Sequence, residues 1–223
     1  MLSYYITDRT QFAGTEAERR AQLLKTISRA CAAGVDYVQL REKNLSTREL
    51  ERLAAEALRV IRGEGAARLL INHRTDVALA VGADGVHLTG DDISASEARA
   101  LAAKVRSEHF IVATSCHSAL EVRMADSHGA DFAVLAPVFE KPGMNVSGIG
   151  LTELRAAAQK DRTPDMRVEA GDTRRRFGVF ALGGVNLERA SLCADAGAAG
   201  IAGIRLYQQC EDLSGLIRKI RAL

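Results

Sequence analysis

One phrase recurs four times in this chain of 223 residues, and it limits the fold more than any other feature. It reads Ala32-Ala-Gly-Val-Asp-Tyr, then Val81-Gly-Ala-Asp-Gly-Val, His128-Gly-Ala-Asp-Phe and Ala196-Gly-Ala-Ala-Gly-Ile. In each copy a helical pattern stops at a glycine, the residue that most easily takes the left-handed conformation ending a helix. Within a few residues an apolar run begins. The phrase therefore ends a helix and enters a strand with almost no loop, as parallel α/β units require.

Runs of strand character cover 3–7, 37–41, 68–72, 85–88, 110–115, 132–137, 177–182 and 200–204. Those at 68–71 and 110–114 are almost continuously apolar, which suits strands covered on both faces of a parallel sheet. Helical patterns lie between them. Ala21, Leu24, Ile27 and Ala30 repeat at helical spacing, as do Leu50, Leu53, Ala57 and Leu58. Ser46 and Glu49 read as a capping box opening the second helix. Asn186 and Asp212 look like later helix starts. Eight strands, each followed by a helix, are the count of a (β/α)₈ TIM barrel, and residues 1–223 suffice for a compact single domain of that kind. A doubly wound open sheet is the alternative, but no G-x-G-x-x-G follows the first strand. Residues 161–176 are polar, carry five Arg and break the rhythm. They read as a mobile loop at the bottom of the barrel, with a basic partner-binding loop as the other reading.

Composition narrows the function classes. Aromatic residues are 4% of the chain and Trp is absent, so Ala, Val, Leu and Ile must build the core. A formal net charge of +2 without a Lys/Arg block argues against nucleic acid as a partner. Cys31, Cys116, Cys193 and Cys210 are too scattered for a zinc site or a disulfide framework, and read as free thiols in a reducing compartment. No apolar run reaches membrane-spanning length, and the first residues lack a signal-peptide pattern. A soluble cytoplasmic protein is expected.

In such a barrel the chemistry gathers at the carboxyl ends of the strands. The second strand offers Gln39, Arg41 and Lys43. The two cations are two residues apart and point the same way if the strand continues through them. A guanidinium fork beside an ammonium point charge suits a pyrophosphate. Other strand ends supply Asn72 and His73, His87 followed by Asp91 and Asp92, Ser115 and His117, Pro137 and the loop to Lys141, Gly183 and Gly184, and finally Gly203 and Arg205. Glycines after strands seven and eight can expose backbone N–H groups to a phosphate. Asp91 or Asp92 can hold Mg²⁺ or cap the following helix.

In this order, Tyr4-Tyr-Ile-Thr-Asp-Arg9, Val38-Gln-Leu-Arg-Glu-Lys43, Leu70-Ile-Asn-His-Arg74, Asp84-Gly-Val-His-Leu88, Ser115-Cys-His117, Ala136-Pro-Val-Phe139, Lys141-Pro-Gly143 and Leu182-Gly-Gly-Val185 resemble thiamine phosphate synthases and their TenI-like relatives. The resemblance covers nearly the whole chain. It implies a transferase that joins an aminopyrimidine pyrophosphate to a thiazole phosphate, forming thiamine phosphate and releasing pyrophosphate. It implies that Gln39, Arg41, Lys43 and Lys141 contact pyrophosphate, that Asn72 and Ser115 line the substrate, and that Asp92 binds Mg²⁺. Gly184 and Gly203 would hold the thiazole phosphate. The partners implied are small phosphorylated substrates, and the oligomeric state is left open.

Three departures stand out. His73 replaces a carboxylate usual in synthases, and imidazole is a poor Mg²⁺ ligand. The loop after Phe139 is shortened to Glu140-Lys141 and loses two hydroxyls. The turn after strand eight carries Arg205, which can bind phosphate or fill the site. These changes keep two alternatives open: a TenI-like thiazole tautomerase, needing His117 or His73 as base because Pro137 replaces the usual His, and a non-catalytic binder of the same ligands.

Overall fold

The computed structural model describes residues 1–105, 109–140, 147–159 and 177–223. The expected loop at 161–176 and the candidate Lys141 lie outside the described residues. Eight parallel strands close into a barrel in sequence order: β1 Leu2–Ile6, β2 Tyr37–Leu40, β3 Arg68–Asn72, β4 Gly85–Leu88, β5 Ile111–Cys116, β6 Phe132–Leu135, β7 Gly178–Ala181 and β8 Gly200–Gly203. Closure comes from β1 pairing with β8, with Tyr4 opposite Ala202 and Tyr5 opposite Gly203.

The helices are α1 Glu16–Ala32, α2 Thr47–Glu64, α3 Thr75–Val81, α4 Ala95–Lys104, α5 Ala119–Ser127, α6 Gly150–Ala158, α7 Leu187–Asp195, α8 Arg205–Gln208 and α9 Leu213–Arg221. Two helices follow β8 where one was expected, the first a single turn. Capping boxes open α1 at Thr15, α2 at Ser46 and α4 at Ser94, each cap stabilising its helix by about 1 kcal/mol. Asn186 and Asp212 cap α7 and α9 as the sequence suggested. Of the expected α1 stripe, Ile27 and Ala30 are fully buried and Leu24 packs against the core, while Ala21 is exposed; Leu23, Thr26 and Cys31 complete the buried face.

The recurring phrase has one geometry. Gly34, Gly82, Gly129 and Gly197 all take positive φ, from 68° to 90°. The next residue's N–H returns to a helix carbonyl in every copy: Val35 to Ala30, Ala83 to Ala78, Ala130 to Ala125 and Ala198 to Cys193, at 2.9–3.0 Å. This is the Schellman closure that satisfies the last carbonyls of a helix. The aspartate of three copies then does a second job. Asp36 accepts from Ser3 N at 2.8 Å, Asp84 from Leu69 N at 2.8 Å and Asp131 from Val112 N at 2.7 Å. Each carboxylate thus satisfies the N–H of the second residue of the preceding strand at the bottom of the barrel. The fourth copy has Ala199 there, and Leu2 N donates to its carbonyl.

Two apolar layers follow from the alternation of strand residues. The outer layer, between strands and helices, is mostly aliphatic, as the composition demanded. The barrel interior is different. Tyr4, Tyr37, Phe132 and Phe180 pack with ring centroids 4.8–5.9 Å apart. Gly200 makes room for them, since a Cβ there would lie 2.3 Å from the Phe180 ring. Four of the ten aromatic residues fill the barrel floor, and the polar residues stand above it.

Candidate active site

Above the floor, inward positions on β2 to β5 carry Gln39, Asn72, His87 and Ser115. Gln39 Nε2 donates to Asn72 Oδ1 at 2.9 Å, which leaves the Asn72 amide N–H groups free to face the mouth. His87 Nε2 lies 2.8 Å from Ser115 Oγ, and His87 Nδ1 lies 3.0 Å from Tyr4 Oη. His87 is 2% exposed. Burial drives its pKa down to about 3, and the nearby Arg41 charge acts in the same direction. The ring is neutral at physiological pH.

Strand pairing ends at Leu40, so Arg41 and Lys43 lie on the loop rather than on the strand. Between them Glu42 is buried, 5% exposed. It accepts from Thr7 Oγ1 at 2.6 Å, from Arg9 N at 3.1 Å and from Arg9 Nη1 at 3.0 Å. Burial pushes the Glu42 carboxyl up, against the downward pull of those bonds. Thr7 Oγ1 also accepts from Arg41 N at 2.9 Å. Arg9, 2% exposed, reaches Asn44 and Glu16 as well. The end of β1 thereby anchors the β2 loop and leaves the two flanking cations outside the anchor. Arg41 is half-buried, and its charge acts on both His87 and Asp8. Lys43 is exposed. A Thr at the end of β1 followed by Asp8 and Arg9 was the available sequence signal.

The carboxylate side is tighter than expected. Asp92 does not cap α4, since Ser94 does. Its Oδ2 accepts from Thr89 N at 2.6 Å and Thr89 Oγ1 at 3.0 Å, while its Oδ1 pairs with His73 Nδ1. His73 stands at φ 67°, in the left-handed region, at the apex of a three-residue turn closed from Arg74 N to Asn72 O at 2.8 Å. Such backbone is costly for a non-glycine residue. Asp91 is exposed. Among the described residues no three His, Cys, Asp or Glu side chains converge as a metal site. Both Asp92 oxygens are engaged, Oδ1 by His73 and Oδ2 by Thr89, so a Mg²⁺ ion would have to displace His73 from Oδ1, with substrate phosphate oxygens completing its shell.

On the far side, Gly183 and Gly184 take φ 94° and 64°. They pack against Pro137, Phe139 and the Glu140 carbonyl, where a Cβ would lie 2.6–2.8 Å away. Their N–H groups donate to no described residue. Arg189 braces this turn, donating to the Gly184 carbonyl at 2.7 Å and covering the Phe139 ring at 4.8 Å. Gly203 ends β8, and Arg205 opens α8, exposed and without an ion pair among the described residues. A short helix after strand eight is a frequent element of phosphate sites in these barrels. His117 is exposed. Its Nδ1 lies 2.6 Å from the Ala136 carbonyl, which can only accept, so Nδ1 carries the proton and Nε2 is the free nitrogen.

The four thiols are unpaired. Cys31, Cys116 and Cys193 are buried, and burial pushes the Cys31 thiol up to about 12. No helix among the described residues is long and apolar enough to cross a membrane.

Comparison with known proteins identifies the family. A family model described as thiamine monophosphate synthase matches residues 3–206. The chain is 37% identical over 205 residues to a putative thiamine-phosphate synthase 2 of Aquifex aeolicus, covering 92% of this chain and 96% of that one. It is 33% identical over 222 residues to the thiamine-phosphate synthase of Syntrophomonas wolfei, covering 99% and 94%. A solved thiamine phosphate pyrophosphorylase from Pyrococcus furiosus superposes with a TM-score of 0.75 at 27% identity, covering 99% and 94%. A 3-hexulose-6-phosphate synthase, at 18% identity and a TM-score of 0.64, shares the fold alone. The chain belongs to the thiamine monophosphate synthase family.

Proposed function

We propose that this chain is a thiamine phosphate synthase, acting on an aminopyrimidine pyrophosphate and a thiazole phosphate. The bond between the pyrimidine methylene carbon and the pyrophosphate oxygen breaks, and the electron pair leaves with pyrophosphate. The thiazole nitrogen then donates its lone pair to the cationic methylene carbon, giving thiamine phosphate. Charge on the leaving anion is the main demand, so electrostatic stabilisation outweighs proton transfer.

The observation that supports this reading is the polar row Gln39–Asn72 and His87–Ser115 above the barrel floor, beside the β2 loop that Thr7 and Glu42 anchor next to Arg41. Arg41 and Lys43 face the pyrophosphate, with Lys141 as a third cation. Gln39 joins them at the pyrophosphate, and Asn72 and Ser115 present an amide and a hydroxyl along the substrate. The Gly183, Gly184 and Gly203 backbone, with Arg205, takes the thiazole phosphate, and His117 offers Nε2 at the rim. Asp92 with substrate oxygens would hold Mg²⁺, which supplies further neutralisation of the leaving pyrophosphate when bound. Buried, unpaired thiols suit a cytoplasmic setting.

The alternatives gain less support. His73 and His117 each hold Nδ1 on an acceptor and keep Nε2 open, so it is the relatives, thiamine-phosphate synthases, that favour the synthase over the tautomerase. The test is turnover of the two substrates to thiamine phosphate, with Mg²⁺ and with a chelator. Mg²⁺-dependent product that disappears in Arg41→Ala is expected. Absence of product while thiazole phosphate still binds would overturn the synthase reading.

A further inference from the structure

The chain Tyr4–His87–Ser115 runs from the aromatic floor to the mouth, and its proton directions can be worked out. A neutral imidazole has one N–H and one lone pair. Tyr4 is wholly buried among Tyr37, Phe132 and Phe180, and the acceptor near its hydroxyl among the described residues is His87 Nδ1, at 3.0 Å. A buried hydroxyl proton without an acceptor is costly. Tyr4 therefore donates to Nδ1, which must carry the lone pair. The ring proton is then on Nε2 and is donated to Ser115 Oγ, 2.8 Å away.

This order has a consequence for Ser115. Its oxygen already accepts from the ring, so the ring cannot accept the serine proton. The hydroxyl proton must point elsewhere, toward the mouth. We propose that Tyr4 and His87 are positioning residues that fix the imidazole tautomer and so hold Ser115 as a hydrogen-bond donor to a substrate oxygen rather than as an activated nucleophile. The arrangement is the reverse of a serine–histidine catalytic pair, although the two side chains meet at the same distance. The identity of the acceptor, a pyrophosphate oxygen, rests on the function proposed above; the tautomer does not.

Two readouts separate these layers. The first is long-range ¹H–¹⁵N NMR of the imidazole nitrogens in the substrate-free protein, with His87→Asn to assign the signal among the five histidines. The expected result is the Nε2–H tautomer in the unaltered chain and its partial or complete loss in Tyr4→Phe, which removes only the hydroxyl. An Nδ1–H ring in the unaltered chain, or an Nε2–H ring unmoved in Tyr4→Phe, overturns the proposal whatever the enzyme does. The second is steady-state kinetics of Tyr4→Phe, Ser115→Ala and the double variant. Losing a hydrogen bond to a charged oxygen should lower kcat about 10- to 100-fold in Ser115→Ala, with KM little changed. Tyr4→Phe should lower kcat in the same direction, and its effect should vanish in the Ser115→Ala background. Additive effects would mark Tyr4 as structural only. If no turnover occurs in any form, the function above fails while the NMR result still decides the tautomer.

Discussion

The two ends of this barrel are built by opposite means. At the bottom, one device is repeated: a left-handed glycine, a Schellman closure and, in three copies, an aspartate that satisfies the neighbouring strand's N–H groups. At the top, no two strand ends are alike. Glu42 anchors one loop, Asp92 and His73 lock another, and Arg189 braces the glycine turn. Repetition at one end is what stability needs, since every strand has the same unsatisfied groups to cover. Variety at the other end is what a site needs, since each group must face a different part of the ligands.

This contrast predicts that top variants chiefly change turnover and bottom variants chiefly change stability. Arg41→Ala should show the largest effect, a fall of about 10²–10³ in kcat/KM, comparable to losing one preorganised anion donor, with an unchanged denaturation midpoint. Glu42→Ala is where the contrast should break. It belongs to the top, yet it leaves buried Arg9 uncompensated, and should cost about 3 kcal/mol in urea denaturation. A Glu42→Ala protein of normal stability would show that Arg9 is held by Glu16 and Asn44 alone.

At the bottom, Asp131→Ala strips the Val112 N–H of its side-chain acceptor and Arg99 of its ion-pair partner, and should destabilise by about 1–3 kcal/mol while kcat stays within twofold. A changed kcat would mean that the two ends are coupled through β5.

His73→Asp adds the carboxylate that the Asp92 site lacks. It should lower the Mg²⁺ concentration for half-maximal turnover by about tenfold, the scale of a change beside a metal ligand. An unchanged Mg²⁺ requirement would place the metal elsewhere.

The smallest expected effect is a slope. His87 is held near a pKa of about 3 in the fold, below its ordinary value. As pH falls below about 6.5, the unfolded chain takes up a proton that the folded ring refuses, so stability falls by up to about 1.4 kcal/mol per pH unit from this group. Above that range the contribution is complete. Denaturation midpoints at pH 7, 6 and 5 should fall less steeply in His87→Asn than in the unaltered chain.

The same contrast explains what could be read in the sequence. The bottom device was visible because it repeats, and with eight apolar runs it led to the barrel and to strand bounds within one or two residues. At the top, Gln39, Arg41, Asn72, Asp92, Ser115 and the glycine pair stand out as candidates because strand ends are where barrels place chemistry. Their partners do not. Glu42 looks like a solvated acid between two cations, and only the approach of Thr7 and Arg9 from another strand turns it inward. Tyr4 reads as a core aromatic, and the sequence does not reveal that its hydroxyl meets His87, eighty-three positions away. Asp92 looked equally like a cap or a metal ligand because its bond to Thr89 is a local turn that neither reading contained. Contacts between strands carry this information, and periodicity along one strand does not.

The concentration of aromatic rings in the barrel also has an optical consequence. The chain has no Trp and four Tyr, of which Tyr4 and Tyr37 line the interior, while Tyr5 and Tyr207 stack on each other just outside it with ring centroids 5.5 Å apart. Near-ultraviolet absorbance and tyrosine emission therefore come almost entirely from rings inside the fold. One of these chromophores, Tyr4, is bonded to the imidazole that touches Ser115. The protein carries an intrinsic, unlabelled reporter within two hydrogen bonds of its candidate site.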